Sequence, residues 1–208
     1  MSLETWLAFV ATETVLCFTP GPAVLFVVSV ALARGARPGM AAATGILTTN
    51  AGYFALSATG IAAVILASGR LFALLRWVGA GYLVWVGLRM LISRPAAADA
   101  LRADAPPPRP VQRAFLRALV VQGANPKALI FFVALLPQFI DTSAPVGTQL
   151  LVLGASSTVI EFFVLLLYVA VAARARRLAG ARLAGRLERI GGGFLVAAGA
   201  RLALLRAR

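Results

Sequence analysis

Residues 6–33 read WLAFVATETVLCFTPGPAVLFVVSVALA. Within this stretch only Glu13 carries a full charge at neutral pH, and Pro20-Gly21-Pro22 interrupts it near its centre. A membrane helix needs about 20 apolar residues to cross about 30 Å of hydrocarbon, so the stretch is long enough to span. It is too long for the apolar core of a cleavable signal, and no Arg or Lys precedes it. It therefore reads as a retained first span whose helix is broken at mid-depth.

Working outward, five more segments qualify: about 39–68, 71–92, 114–140, 146–173 and 190–205. The chain has 208 residues, is 61% hydrophobic and 13% charged, and has a mean hydropathy of +0.90. Surface-to-volume scaling leaves a soluble domain of this length too little interior for that much apolar surface. The expected fold is an all-α membrane protein with six transmembrane helices and no separate soluble domain.

The net charge is +13, and nineteen of the twenty basic residues are Arg. They gather between apolar runs, as cytoplasmic loops do against anionic headgroups, and this argues against nucleic-acid binding. Arg34 and Arg37 fill the first loop. Arg94, Arg102 and Arg109 fill a Pro-rich linker, 93–112, and Arg174, Arg176, Arg177, Arg182, Arg186 and Arg189 fill the fifth loop. The positive-inside rule then makes odd loops cytoplasmic and both termini periplasmic in a bacterial inner membrane. Cys17 is the single Cys and there is no His. That excludes an intrachain disulfide, a zinc site and a Ser-His-Asp triad, and no cofactor or metal is implied.

A repeat is visible. Gly79–Arg89 and Gly191–Arg201 coincide at six of eleven positions, at an offset of 112. Pro20-Gly21-Pro22-Ala23 is echoed by Asn125-Pro126-Lys127-Ala128 at an offset of 105. Three spans per copy is odd, so the second copy (113–208) crosses in the opposite sense to the first (1–92), which is the inverted-repeat plan of secondary transporters.

Proline at position i leaves the carbonyl of i−4 without its helical donor. Pro20 and Pro22 thus free the carbonyls of Leu16 and Phe18, and Pro126 frees that of Gln122. Unpaired backbone is tolerated in a bilayer where it lines a protein cavity. The half-helices that begin there turn positive amide ends inward, which suits a carboxylate. The plain alternative is a proline kink without a ligand. Thr19, Pro20, Gly21, Pro22, Asn125, Pro126 and Lys127 are accordingly candidate substrate-binding residues. Lys127, the only lysine, falls in mid-membrane, where a charge is costly and generally functional. It suits a substrate carboxylate, a pairing with Glu161 or a structural ion pair. Glu161, deep in its span, is a candidate proton carrier or amine ligand. Glu13 is a shallower candidate that headgroups alone would also explain. Asn50 and Tyr53 are neutral candidates for the same cavity, with helix–helix hydrogen bonding as the alternative.

Phe18-Thr19-Pro20-Gly21-Pro22 resembles a signature of the amino-acid exporters typified by the lysine exporter and the homoserine/threonine exporters (the LysE/RhtB type). Gln122-Gly123-Ala124-Asn125-Pro126-Lys127-Ala128-Leu129-Ile130-Phe131-Phe132, followed by Leu136-Pro137-Gln138-Phe139, resembles their second signature. The resemblance covers nearly the whole chain. It implies six helices in an inverted repeat and amino-acid efflux driven by the proton gradient. Many relatives carry Asp, then His three residues on, in the second span; Asn50 and Tyr53 stand at the matching positions here. That departure shifts the weight of any proton coupling to Glu161. The expected partners are a small amino-acid-like substrate, protons and the bilayer, and a homo-oligomer is compatible with them. A membrane scaffold or assembly factor is the alternative class, and an intramembrane enzyme is a weaker one, because no catalytic dyad is evident.

Overall fold

A computed structural model describes residues 1–59, 110–141 and 143–204, with isolated positions between 77 and 92. Six α-helices and no strand occur among the described residues. Helix α1 (Leu3–Phe18) is capped by Ser2, whose Oγ accepts from the Thr5 amide at 3.1 Å. It stops where proline removes the next donors. Helix α2 (Pro22–Arg34) restarts with Pro22 in its first turn, where a missing N–H costs nothing, at an angle of 50° to α1. Gly35, with φ of 91°, reverses the chain into α3 (Ala36–Ala58), a backbone region that only glycine enters freely.

Helix α4 (Pro110–Gly123) is followed by Ala124 and Asn125, and then by α5 (Pro126–Ile130). A π-helical turn (Phe131–Leu135) and a 3₁₀ turn (Leu136–Phe139) continue the path. The loop into α6 is closed by Gln149, which accepts from the Asp141 amide at 2.9 Å and donates to the Asp141 carbonyl at 2.8 Å. The Ser143 hydroxyl and amide hold the Asp141 carboxyl below its ordinary range.

Helix α6 (Val146–Leu204) runs unbroken for 59 residues. The sequence reading expects a turn between about 173 and 190 and a returning sixth span. The structure has one continuous helix instead. Residues 174–189 are rich in Ala, Leu and Arg, which favour helix, and contain no proline; Gly180 and Gly185 weaken the helix by about 1 kcal/mol each without ending it. The expected third span, the linker 93–109 and the first repeat copy Gly79–Arg89 lie outside the described residues, isolated positions aside.

One core cluster joins α2, α3, α4 and α6 through Phe26, Val27, Ala31, Ile46, Val121 and Leu165. A second gathers Phe9, Phe54, Phe131, Phe132, Leu136 and Leu153. Helices α3 and α4 approach closely at Gly45, where an added Cβ would lie 2.6 Å from the Phe115 carbonyl oxygen. Large apolar side chains also face outward, among them Val15, Leu151, Phe163 and Val171. Among the described residues, Val146–Arg177 is long and apolar enough to cross a bilayer, and α1 with α2 meets the same measure as a bent pair. Apolar exteriors on segments of that length suit lipid as solvent.

Candidate functional site

The two interruptions, α1/α2 and α4/α5, meet at one cavity of about 60 Å³. Its polar lining comes from α1 (Glu13, Cys17), α3 (Asn50), α4 (Gln122), Asn125 and Lys127 at the head of α5, and α6 (Ser157, Glu161). Val24, Phe131, Phe132 and Val164 contribute to its apolar wall. A space of this size holds a few waters.

The carbonyls freed by proline find new donors. The Lys127 ammonium donates to the carbonyls of Leu16 and Thr19, the latter at 2.7 Å. A cation at a helix C-terminus also meets the negative end of the helix dipole. Tyr168 Oη donates to the Phe18 carbonyl at 3.0 Å. The Gln122 carbonyl accepts from the Asn125 amide at 3.0 Å. Lys127 thus bridges the two interruptions directly, with two of its three donors on α1 and its neighbouring carbonyl, rather than bonding to Glu161. Tyr168→Phe leaves the Phe18 carbonyl without that donor. Loss of about 1 kcal/mol is expected, read as a lower thermal midpoint of the purified protein; an unchanged midpoint would show that the bond contributes nothing.

Four side chains form a chain of hydrogen bonds across the cavity. The Lys127 amide donates to Asn125 Oδ1 (3.1 Å), Asn125 Nδ2 to Gln122 Oε1 (2.8 Å), Gln122 Nε2 to Asn50 Oδ1 (2.6 Å) and Asn50 Nδ2 to Glu161 Oε2 (2.5 Å). Glu13 is buried, and its Oε1 accepts from Ser157 Oγ at 2.5 Å and from the Cys17 thiol at 3.7 Å. The reach towards headgroups considered for Glu13 from its sequence depth is not the arrangement found.

Of the residues singled out from sequence, Glu13, Gly21, Asn50, Asn125, Lys127 and Glu161 line the cavity. Thr19 and Pro20 are exposed, and Pro22 and Pro126 stand at N1 of their helices. Tyr53 donates to the Gly123 carbonyl at 2.8 Å and packs on Phe132, which pins the end of α4. Gln122, Ser157 and Cys17 escaped sequence reasoning as site residues. Gln122 lay in plain view as the residue whose backbone carbonyl Pro126 frees, and its side-chain amide meets Asn50 and Asn125 at the same place. Chemically, the cavity offers two carboxylates for an ammonium, a cation and amides for a carboxylate, and an apolar wall.

The chain is similar to several membrane proteins. A Vibrio cholerae chain described as an uncharacterized membrane protein is 32% identical over 209 residues, covering 100% of both chains. The homoserine/homoserine lactone efflux protein of Salmonella typhimurium is 31% identical over 207 residues, 99% of each. The leucine efflux protein of an Enterobacter species is 36% identical over 164 residues, 77% of this chain and 75% of that one. No solved structure matches. The description that fits residues 14–206 is "LysE type translocator", and the chain belongs to that family of membrane translocators.

Proposed function

We propose that the chain exports small neutral amino acids across the bacterial inner membrane by alternating access, in exchange for protons. The observation that carries this reading is the cavity between the two helix interruptions, where Glu13, Glu161 and Lys127 stand with three amides against an apolar wall. A zwitterion needs opposite charges held a few ångströms apart. Its ammonium is drawn to Glu13 and Glu161, and its carboxylate to the remaining Lys127 donor and the Asn125 amide. The wall of Val24, Phe131, Phe132 and Val164 favours an uncharged side chain. Two relatives bear the names of homoserine and leucine efflux proteins, and both of those amino acids fit that description.

The cavity takes a few waters, so loading requires the interruptions to shift. The bend between α1 and α2 and the π-helical turn after α5 are suitable hinges. The inverted repeat stays within the proposal. Its support is the sequence match and the pairing of two proline-linked interruptions at one cavity; α6 does not turn back and adds no support. The Arg distribution supports a cytoplasmic first loop and linker and a periplasmic N-terminus; a periplasmic C-terminus further requires a turn after about residue 173, where α6 is continuous.

Glu161 is the proposed proton carrier. In proteoliposomes loaded with labelled homoserine or leucine, an imposed proton gradient should accelerate wild-type release. Measured against its own gradient-free exchange, Glu161→Gln should lose at least about tenfold of the acceleration, equivalent to about 1.4 kcal/mol of driving or barrier free energy. Full acceleration in the variant would remove Glu161 from the coupling, and no release of either amino acid by the wild type would remove the substrate class.

A further inference from the structure

We infer that Gln122 is a positioning residue that links the charge state of Glu161 to the capping of α5, through an amide chain that can adopt two polarities. The inference rests on the proposed proton exchange at Glu161. Its basis is the direction of the four hydrogen bonds. Asn125, Gln122 and Asn50 each give their NH₂ towards Glu161 and their carbonyl towards α5. All three are buried. A buried amide that turned alone would set donor against donor and acceptor against acceptor, at a cost comparable to leaving polar groups unmade. The three therefore turn together or not at all.

The two polarities differ at their ends. In the one observed, an N–H reaches Glu161 and a carbonyl oxygen reaches the Lys127 amide. An ionised carboxylate only accepts, so it holds this polarity. The carbonyl end caps α5. In the reverse polarity Asn50 turns its carbonyl oxygen to Glu161, which requires a protonated carboxyl as donor. Asn125 then turns its NH₂ to the Lys127 amide, donor against donor, and α5 loses its cap. A proton arriving at Glu161 removes the bias at that end and leaves the α5 cap as the only hold on the observed polarity, so reversal, with release of the first turn of α5, becomes less costly. That turn carries Lys127, whose ammonium holds the Leu16 and Thr19 carbonyls. Protonation on α6 is thereby transmitted to both interruptions. Gln122 is the member that joins the α5 end to α3. The other ionisable groups on this cavity are Glu13 and Cys17 from α1 and Lys127 from α5, so they share the field at Glu161.

Gln122→Leu and Gln122→Glu test this in the same proteoliposomes. Leucine breaks the chain. Whatever its basal rate, the variant's gradient-driven release divided by its own gradient-free exchange is expected to fall about tenfold below the wild-type ratio. A protonated glutamic acid has one donor and one acceptor, as the amide does along this chain, whereas its ionised form only accepts. Gln122→Glu should therefore respond to the gradient in acidic medium and lose the response as the medium is made alkaline, a pH signature that a packing role would not produce. A Gln122→Leu variant with full acceleration overturns the inference, as does a Gln122→Glu variant whose response follows the wild-type pH profile, even if the leucine variant fails to fold. Where Glu161→Gln abolishes acceleration and the Gln122 variants do not alter it, the amide chain is wrong and the role of Glu161 stands. Where Glu161→Gln itself retains acceleration, the underlying reading falls, and this inference with it.

Discussion

Lys127→Met is expected to reduce export to background and to lower the thermal midpoint of the purified protein. The stem of Lys127 passes Gly21 closely enough that an added Cβ there would meet Cδ at 3.4 Å, and its ammonium donates to the Leu16 and Thr19 carbonyls. Methionine keeps comparable bulk and removes every donor. The Leu16 carbonyl then keeps only the Thr19 amide and the Thr19 carbonyl is exposed, so each lost bond costs about 1 kcal/mol. The substitution also leaves Glu13 and Glu161 on one cavity without the cation that faces them. Measuring labelled amino-acid release alongside membrane-inserted protein separates a transport defect from poor assembly. Release above half the wild-type rate would show that the bridge between the interruptions is dispensable.

Among the described glycines, Gly45→Ala is expected to have the largest packing effect on stability. Its new Cβ would stand 2.6 Å from the Phe115 carbonyl oxygen and 2.8 Å from Ala118 Cβ. Backbone on a packed helix cannot swing aside as a flexible side chain does, so α3 and α4 must separate. Overpacking of this kind costs about 1–3 kcal/mol. Gly52 lies on the same helix with open space around it, and Gly52→Ala gains helix propensity of up to about 1 kcal/mol. The pair is therefore expected to move the thermal midpoint in opposite directions. Equal shifts for both would mean that the close approach of α3 and α4 is not a constraint.

What could be read from the sequence was the exceptional residue in a monotonous apolar background. A proline inside a span, one lysine and one deep glutamate stand out because each is expensive in hydrocarbon. The cavity lies where those residues meet. Ordinary polar residues gave no such signal. Ser157 donates to Glu13 across 144 positions of chain, and a lone serine on an apolar helix usually bonds its own backbone, as Ser156 does to the Val152 carbonyl. Its place near the start of the first span makes Glu13 read as shallow. Its burial is set by α6 packing beside α1, which sequence distance does not encode. The missing turn in α6 has a different origin. Charge density predicts where a segment meets water, and helix propensity decides whether the backbone bends there; Arg, Ala and Leu satisfy both at once.

The donors that secure the first interruption come from far along the chain: Lys127 is 111 residues beyond Leu16, and Tyr168 is 150 residues beyond Phe18. On the ribosome, α1 and α2 emerge long before either. At synthesis rates of about 5–20 residues per second, the nascent N-terminal pair waits roughly 5–20 s for Lys127 to be made. During that interval its open carbonyls must be served by water or by the insertion machinery. Final locking of the first two helices is thus deferred until the second half of the polypeptide has been delivered to the membrane.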